Sequence, residues 1–337
     1  MAALPGRQGP SHTAAKASGN VPNGSPMRPQ KITVSEVGPR DGLQIEKRLL
    51  SAEEKIALID RLSATGLTRI EVSAFVHPKV VPQMADAEAV FAGIIRRPGV
   101  RYAGLVMNAR GAERAIAANV DDVKTGIAVS DSFNELNVRM TTEQGMKAID
   151  EIAAIVKGTN SRLVGGIATA FGCPYEGPVP LERVHRLFEQ LAGYGCPVIY
   201  LADTTGMANP ASIARTVESL RARWPDQPIG LHLHNTRGLG LANALAGLDL
   251  GVADFESSVG GLGGCPFAPR AVGNICTEDF VHMAHEMGIE TGIDLDALLR
   301  VATFAQEMIG RALPGMVMKA GKASERADKA GPRVKVD

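Results

Sequence analysis

Short runs of β-branched residues alternate along this chain with longer stretches whose apolar positions recur at helical spacing. Runs at 33–37, 69–73, 102–107, 123–128, 163–169, 198–202, 230–234 and 255–259 predict eight strands, each followed by a segment able to form a helix. The first helix has a clear start. Ser51-Ala52-Glu53-Glu54 is a capping-box sequence, and Ile56, Leu58, Ile59 and Leu62 supply an apolar stripe before Gly66 stops it. Eight β-then-α units in about 280 residues predict an α/β fold, a (β/α)8 TIM barrel, over an open doubly wound sheet. No GxGxxG follows the first strand, which further disfavours a dinucleotide-binding sheet.

Composition sharpens this picture. Of 337 residues, 45% are hydrophobic but only 4% aromatic, so the core must be built from Ala, Val, Ile, Leu and Met. Lys+Arg and Asp+Glu each number 36, so no basic field exists to attract nucleic acid or an anionic membrane. The apolar stretches are too short to span a bilayer. Four cysteines without a CxxC pair do not form a disulfide framework, which points to a reducing, cytoplasmic location. Residues 1–30 carry Arg7, Lys16 and Arg28 and no acid, a bias found in transit peptides. Five prolines there would break a targeting helix, so a disordered tail is expected. A barrel domain with a short C-terminal helical extension is expected over 31–315, followed by a flexible tail over 316–337.

A barrel places reactive residues at the C-terminal ends of its strands or in the loops just after them. Arg40 and Asp41 follow the first strand in VGPRDGLQ, Glu71 lies in the second, and Asp203 follows the sixth in LADTTG. His232 and His234 close the seventh in GLHLHNTRG. Their spacing puts both imidazoles on one strand face, opposite Leu231 and Leu233. With Asp41 across the mouth they make a ligand set for a divalent cation. Oxygen and nitrogen donors without thiolate favour Mg²⁺ or Mn²⁺ over structural zinc. The plainer alternative is a pair of half-exposed histidines on an edge strand.

After the eighth strand, GGLGGCPFAPRAVGN carries four glycines just before Cys265, a candidate catalytic thiol, and ends at Asn274, whose amide oxygen can ligate metal. Glu71 shares a strand face with Arg69 and Ser73. A carboxylate turned into a barrel needs a partner, and Arg40 is placed to be it. Asp203 either caps the following turn or supports the site. Cys173 falls where it can line the pocket, whereas Cys196 and Cys276 read as packing. His185, His282 and His285 read as helix-surface residues.

Together VGPRDGLQIEK, IEVSAFVHPKVVPQM, AFGCPYEG, LADTTG, LHLHNTRG and GGLGGCPFAPRAVGN closely resemble the 3-hydroxy-3-methylglutaryl-CoA lyase family over residues 32–313. The resemblance implies a metal set of Asp41, His232, His234 and Asn274, with Arg40 near the thioester oxygen. It also implies Cys265 as the loop thiol, Glu71 and Asp203 as active-site carboxylates, an acyl-CoA substrate and a homodimer. The reaction it implies is retro-Claisen cleavage to acetyl-CoA and acetoacetate, with Asp41 or His232 as base. Residues 235–238 read Asn235, Thr236, Arg237, Gly238 where the family usually has Asp-Thr-Tyr-Gly, so the chain departs at Asn235 and Arg237. It also has Ile45 for a usual Asn and Ala74 for a usual Ser, while Arg270 adds charge to the glycine loop. These changes keep open another 3-hydroxyacyl-CoA, such as citramalyl-CoA. An isopropylmalate-synthase-like transferase fits less well, because its eighth loop resembles GERAGN and has no cysteine. A non-catalytic barrel fits least, given a full ligand set.

Overall fold

The computed structural model describes residues 28–264 and 272–325. Eight parallel strands close into a barrel in chain order. They are β1 (Thr33–Glu36), β2 (Arg69–Ala74), β3 (Arg101–Leu105), β4 (Asp122–Ala128), β5 (Arg162–Ala168), β6 (Ile199–Asp203), β7 (Ile229–Leu233) and β8 (Asp254–Ser257). Closure comes from β1 lying beside β8, with Thr33 opposite Asp254 and Glu36 opposite Ser257. Every predicted strand is present, with ends shifted by at most two residues.

The two faces of each strand do different work. Ile70 and Val72 of β2, Val123 and Ile127 of β4, and Leu231 and Leu233 of β7 are buried in the main apolar core between sheet and helices. The alternate positions turn inward, and many are polar: Ser35, Arg69, Glu71, Asp122, Lys124 and Glu256 line the barrel's interior with Tyr200. Toward the lower end, Asp122 accepts from Arg101 and from Arg162, and Arg69 pairs with Asp254.

The helix Ala52–Ser63 begins at the expected capping box, with Ser51 and Glu54 exchanging hydrogen bonds. Leu58, Ile59 and Leu62 are its buried face. It packs against the helix Leu295–Ile309, part of the expected C-terminal extension. No helix among the described residues is long and apolar enough to cross a membrane.

Two expectations need correction. The stretch from Met316 was expected to be loose, but it opens with the helix Val317–Ala320. The Asp279 carboxylate fixes its start by accepting from the Met316 and Val317 backbone N–H groups. His185 was expected at a helix surface but is buried, beside Ser219 Oγ at 2.9 Å and edge-on to Trp224. Residues 1–27 and 326–337 lie outside the described residues.

Gly66 and Gly158 both adopt left-handed backbone, with φ of 94° and 81°. A Cβ on Gly66 would sit 2.2 Å from the Gly292 carbonyl oxygen, whereas one on Gly158 would meet nothing. Gly158→Ala should therefore cost about 1 kcal/mol of stability, the backbone strain alone, and Gly66→Ala clearly more. Urea unfolding midpoints of the two variants test this, and equal losses would contradict it.

Candidate active site

The mouth of the barrel starts with a wide, π-type turn over Gly38–Gly42 directly after β1. The Val37 carbonyl accepts from the N–H groups of Arg40, Asp41 and Gly42, which turns the Arg40 and Asp41 side chains toward the barrel axis. Arg40 grips Glu71 with both arms, Nε donating to Oε1 at 2.6 Å and Nη2 to Oε2 at 3.2 Å. Its Nη1 donates to Asp41 Oδ1 at 2.7 Å and to Gln44 Oε1 at 3.4 Å. A guanidinium has five N–H donors, so one on Nη2 has no acceptor among the described residues.

His232 and His234 converge as their spacing predicts. His232 Nδ1 donates to Glu256 Oε2 at 2.8 Å, and His234 Nδ1 donates to the Val272 carbonyl at 3.1 Å. Each ring, when neutral, therefore carries its free lone pair on Nε2, and the two Nε2 atoms stand 3.1 Å apart, close enough to share a proton or to face one cation. Asp41 Oδ2 lies 4.0 Å from His232 Nε2. Two lone pairs and a carboxylate at such distances repel unless a positive charge sits among them.

A divalent cation fits this place. Ligand atoms of Asp41, His232 and His234 all lie within 4.8 Å of one another. Neighbouring ligands about 2.1 Å from an octahedral ion stand about 3.0 Å apart, close to the spacing of the two nitrogens. Asn274 adds a further sign. Its Nδ2 donates to Asp41 Oδ2 at 2.7 Å, while its buried Oδ1 has no partner. Rotating the amide would bring that oxygen to the same centre, where only a cation could reconcile it with the carboxylate.

Electrostatics follow from the packing. Burial raises the Asp41 carboxyl, but Arg40 and the two imidazoles outweigh burial and hold it well below the usual carboxylate range. Burial, with His232 alongside, pushes His234 down to about 4. For His232 burial is outweighed by Glu256, so its pKa rises. Glu256 is itself held at about 2, because Lys124 and His232 overcome its burial. Lys124 bridges two carboxylates, donating to Glu71 Oε2 at 2.7 Å and also pairing with Glu256.

Other expected residues fall as follows. Asp203 caps the turn through one oxygen: its Oδ1 accepts from the N–H groups of Met207 and Ala208, and its buried Oδ2 has no partner among the described residues. Burial pushes its carboxyl up to about 7. Cys173 does not line the pocket. It is fully buried, with Ser130 Oγ 2.9 Å from its sulfur. Cys196 and Cys276 are buried, consistent with packing. Arg237 Nη1 donates to the carbonyls of Thr205 and Gly206 at the rim. Cys265 and Arg270 lie outside the described residues.

Sequence reasoning missed four charged residues. Lys124 and Glu256 sit at inward positions of β4 and β8, where the available signal was a second charge two residues on from Asp122 and Asp254, on the same strand face. Glu36 and Glu278 are buried behind the mouth. Glu36 accepts from the N–H groups of Gly38 and Val259 at 2.7 and 2.9 Å, tying the Arg40 turn to the start of the glycine-rich loop. Glu278 accepts from the Gly260 N–H at 2.9 Å.

The family model described as HMGL-like matches residues 31–305. The chain belongs to the HMGL-like family. It is 42% identical to hydroxymethylglutaryl-CoA lyase YngG of Bacillus subtilis, over 88% of this chain and 99% of that protein. It is 41% identical to an (R)-citramalyl-CoA lyase of Chloroflexus aurantiacus, over 87% of this chain and 95% of that protein. The solved structure of an HMG-CoA lyase from Acinetobacter baumannii with coenzyme A and 3-methylmalate superimposes with TM-score 0.85 at 44% identity. That match covers 89% of this chain and 98% of the other.

Burial raises Glu36 to about 7 and Glu278 to about 8, from an ordinary value of 4.5. An acid raised on folding stabilises the fold fully below its unfolded pKa, and that contribution is lost as pH rises through the folded value. Stability should therefore fall between about pH 5 and pH 8 on their account. Glu278→Gln, which stays neutral, should gain on the parent protein as pH rises from 6 to 9. Urea midpoints at the two pH values measure the gain, and a pH-independent difference would count against it.

Proposed function

We propose that this chain is a divalent-metal-dependent retro-Claisen lyase that cleaves 3-hydroxy-3-methylglutaryl-CoA to acetyl-CoA and acetoacetate. The observation that carries this reading is the convergence of Asp41, His232 and His234 on one centre, beside an Arg40 guanidinium with a donor to spare. The cation in this reading is Mg²⁺ or Mn²⁺, held by Asp41, His232, His234 and the amide oxygen of Asn274. When bound, it supplies Lewis acidity that lowers the pKa of the substrate's tertiary hydroxyl.

The residues divide the remaining work. His232 commits Nδ1–H to Glu256, so a ligating Nε2 leaves that ring no lone pair for a proton. Asp41 has lone pairs to spare on both oxygens and takes the hydroxyl proton. The bond between the hydroxyl-bearing carbon and the carbon next to the thioester then breaks. Its electron pair passes into the thioester enolate, and the hydroxyl-bearing carbon becomes the ketone of acetoacetate. The spare Arg40 N–H donates to the enolate oxygen, with Glu71 fixing the guanidinium plane. Cys265, a thiol of pKa about 8.5, protonates the far more basic enolate carbon and gives acetyl-CoA. Asp41 releases its proton to solvent and the thiolate regains one, which closes the cycle. Asp203 serves the site through the turn it caps.

A second reading, cleavage of (R)-citramalyl-CoA, is favoured by the relative of that name at 41% identity and by Arg237 at the rim. Acetyl-CoA release from both substrates with Mg²⁺ or Mn²⁺ decides between them. The higher kcat/KM is expected for 3-hydroxy-3-methylglutaryl-CoA, and the reverse order moves the chain to the second reading. Release of free CoA from acetyl-CoA plus a 2-oxo acid, with neither thioester cleaved, overturns both.

Cys265→Ser should lower kcat about 100-fold or more while leaving Mn²⁺ affinity within about twofold, because the thiol acts as an acid and not as a ligand. Single-turnover kinetics with isothermal titration of Mn²⁺ reads both quantities. Unchanged turnover removes the thiol from the mechanism.

A further inference from the structure

One buried ammonium stands between the two halves of the mouth. Lys124 rises from β4, which faces the β8 strand of Glu256 across the barrel and lies three strands from the β7 strand of His232. It donates to Glu71 Oε2 at 2.7 Å, the same oxygen that receives Arg40 Nη2, and it pairs with Glu256. Glu256 in turn receives His232 Nδ1–H. The chain of contacts is thus Arg40 to Glu71 to Lys124 to Glu256 to His232, with no break.

We propose that Lys124 is a positioning residue that couples the Arg40 clamp to the His232 metal ligand. The inference rests on the lyase reading for its reaction, but its geometry stands apart from the choice of substrate. Without Lys124, Glu71 and Glu256 are two carboxylates facing one buried space, and they repel. Glu256 then loses the partner that aims it at His232, and the imidazole loses the contact that fixes its orientation and tautomer. On the other side, Glu71 swings and takes the Arg40 guanidinium with it. One ammonium therefore sets the aim of both groups, although it touches neither.

Lys124→Met tests this beside Lys55→Met, which breaks a buried ion pair with Asp86 on the outer helix layer. Mn²⁺ affinity by electron paramagnetic resonance needs no substrate, so it stays informative even if the substrate assignment is wrong. Lys124→Met should weaken Mn²⁺ binding at least fivefold, toward the 10- to 100-fold typical of a lost supporting contact. With Mn²⁺ saturating, kcat should fall further than KM rises. Lys55→Met should lower the melting temperature and leave Mn²⁺ affinity within about twofold. Lys124→Arg, which can still reach both carboxylates, should restore most of the affinity. If Lys124→Met binds Mn²⁺ less than fivefold more weakly than the parent, the coupling is refuted and the lysine is only structural. Should that variant not fold, Lys124→Gln carries the same fivefold criterion. Loss of turnover on every thioester by the parent protein, with its Mn²⁺ binding intact, would strike the lyase reading and leave this coupling standing.

Discussion

Opposed charges buried in one mouth hold this site together. Asp41, Glu71 and Glu256 bring three negative charges, and Arg40 and Lys124 bring two positive ones. At about 4 Å and an effective dielectric near 20, each contact is worth about 4 kcal/mol, so none of the five is tolerated alone. With neutral imidazoles the sum is one negative charge, and a divalent cation turns it to one positive. That sign suits a substrate bearing a free carboxylate and a transition state that gathers charge on an enolate oxygen.

The barrel makes such a cluster possible. Strand alternation sends Ile70, Val72, Leu231 and Leu233 outward into the helix layer, and sends Glu71 and His232 inward. Closure leaves no strand edge to satisfy, so interior polar groups can be devoted to one another. Behind the mouth, Glu36 and Glu278 act as backbone acceptors that fix where the loops leave the sheet. These two acids keep their protons at neutral pH or lose them only near it, which makes them anchors of a different kind from the ionised set in front.

Much of this was legible from residue pattern. The eight strands, the capping box at Ser51 and Glu54, and the Asp41, His232 and His234 convergence follow from periodicity and from where reactive residues fall in a barrel. The Arg40 to Glu71 pair followed from the cost of an unpaired inward carboxylate. Lys124 and Glu256 escaped because they lie on strands 132 residues apart in the chain, and only barrel closure shows that they meet. His185 was misplaced for the opposite reason. A histidine on a helix flank reads as solvated until Ser219 and Trp224, from a later part of the chain, close over it. Asp203 offered two roles, and both leave a trace: two backbone N–H groups cap onto its Oδ1, while its buried Oδ2 stays without a partner among the described residues.

Every mechanistic step depends on where the cation goes. A crystal of the full chain grown with Mn²⁺ and measured at a wavelength where manganese scatters anomalously locates the ion without reference to any assay. A single anomalous peak bonded to Asp41, His232 Nε2 and His234 Nε2, with the Asn274 amide turned to offer its oxygen, is the expected result. Manganese elsewhere in the molecule, with the two imidazoles still facing each other across an empty centre, would contradict it.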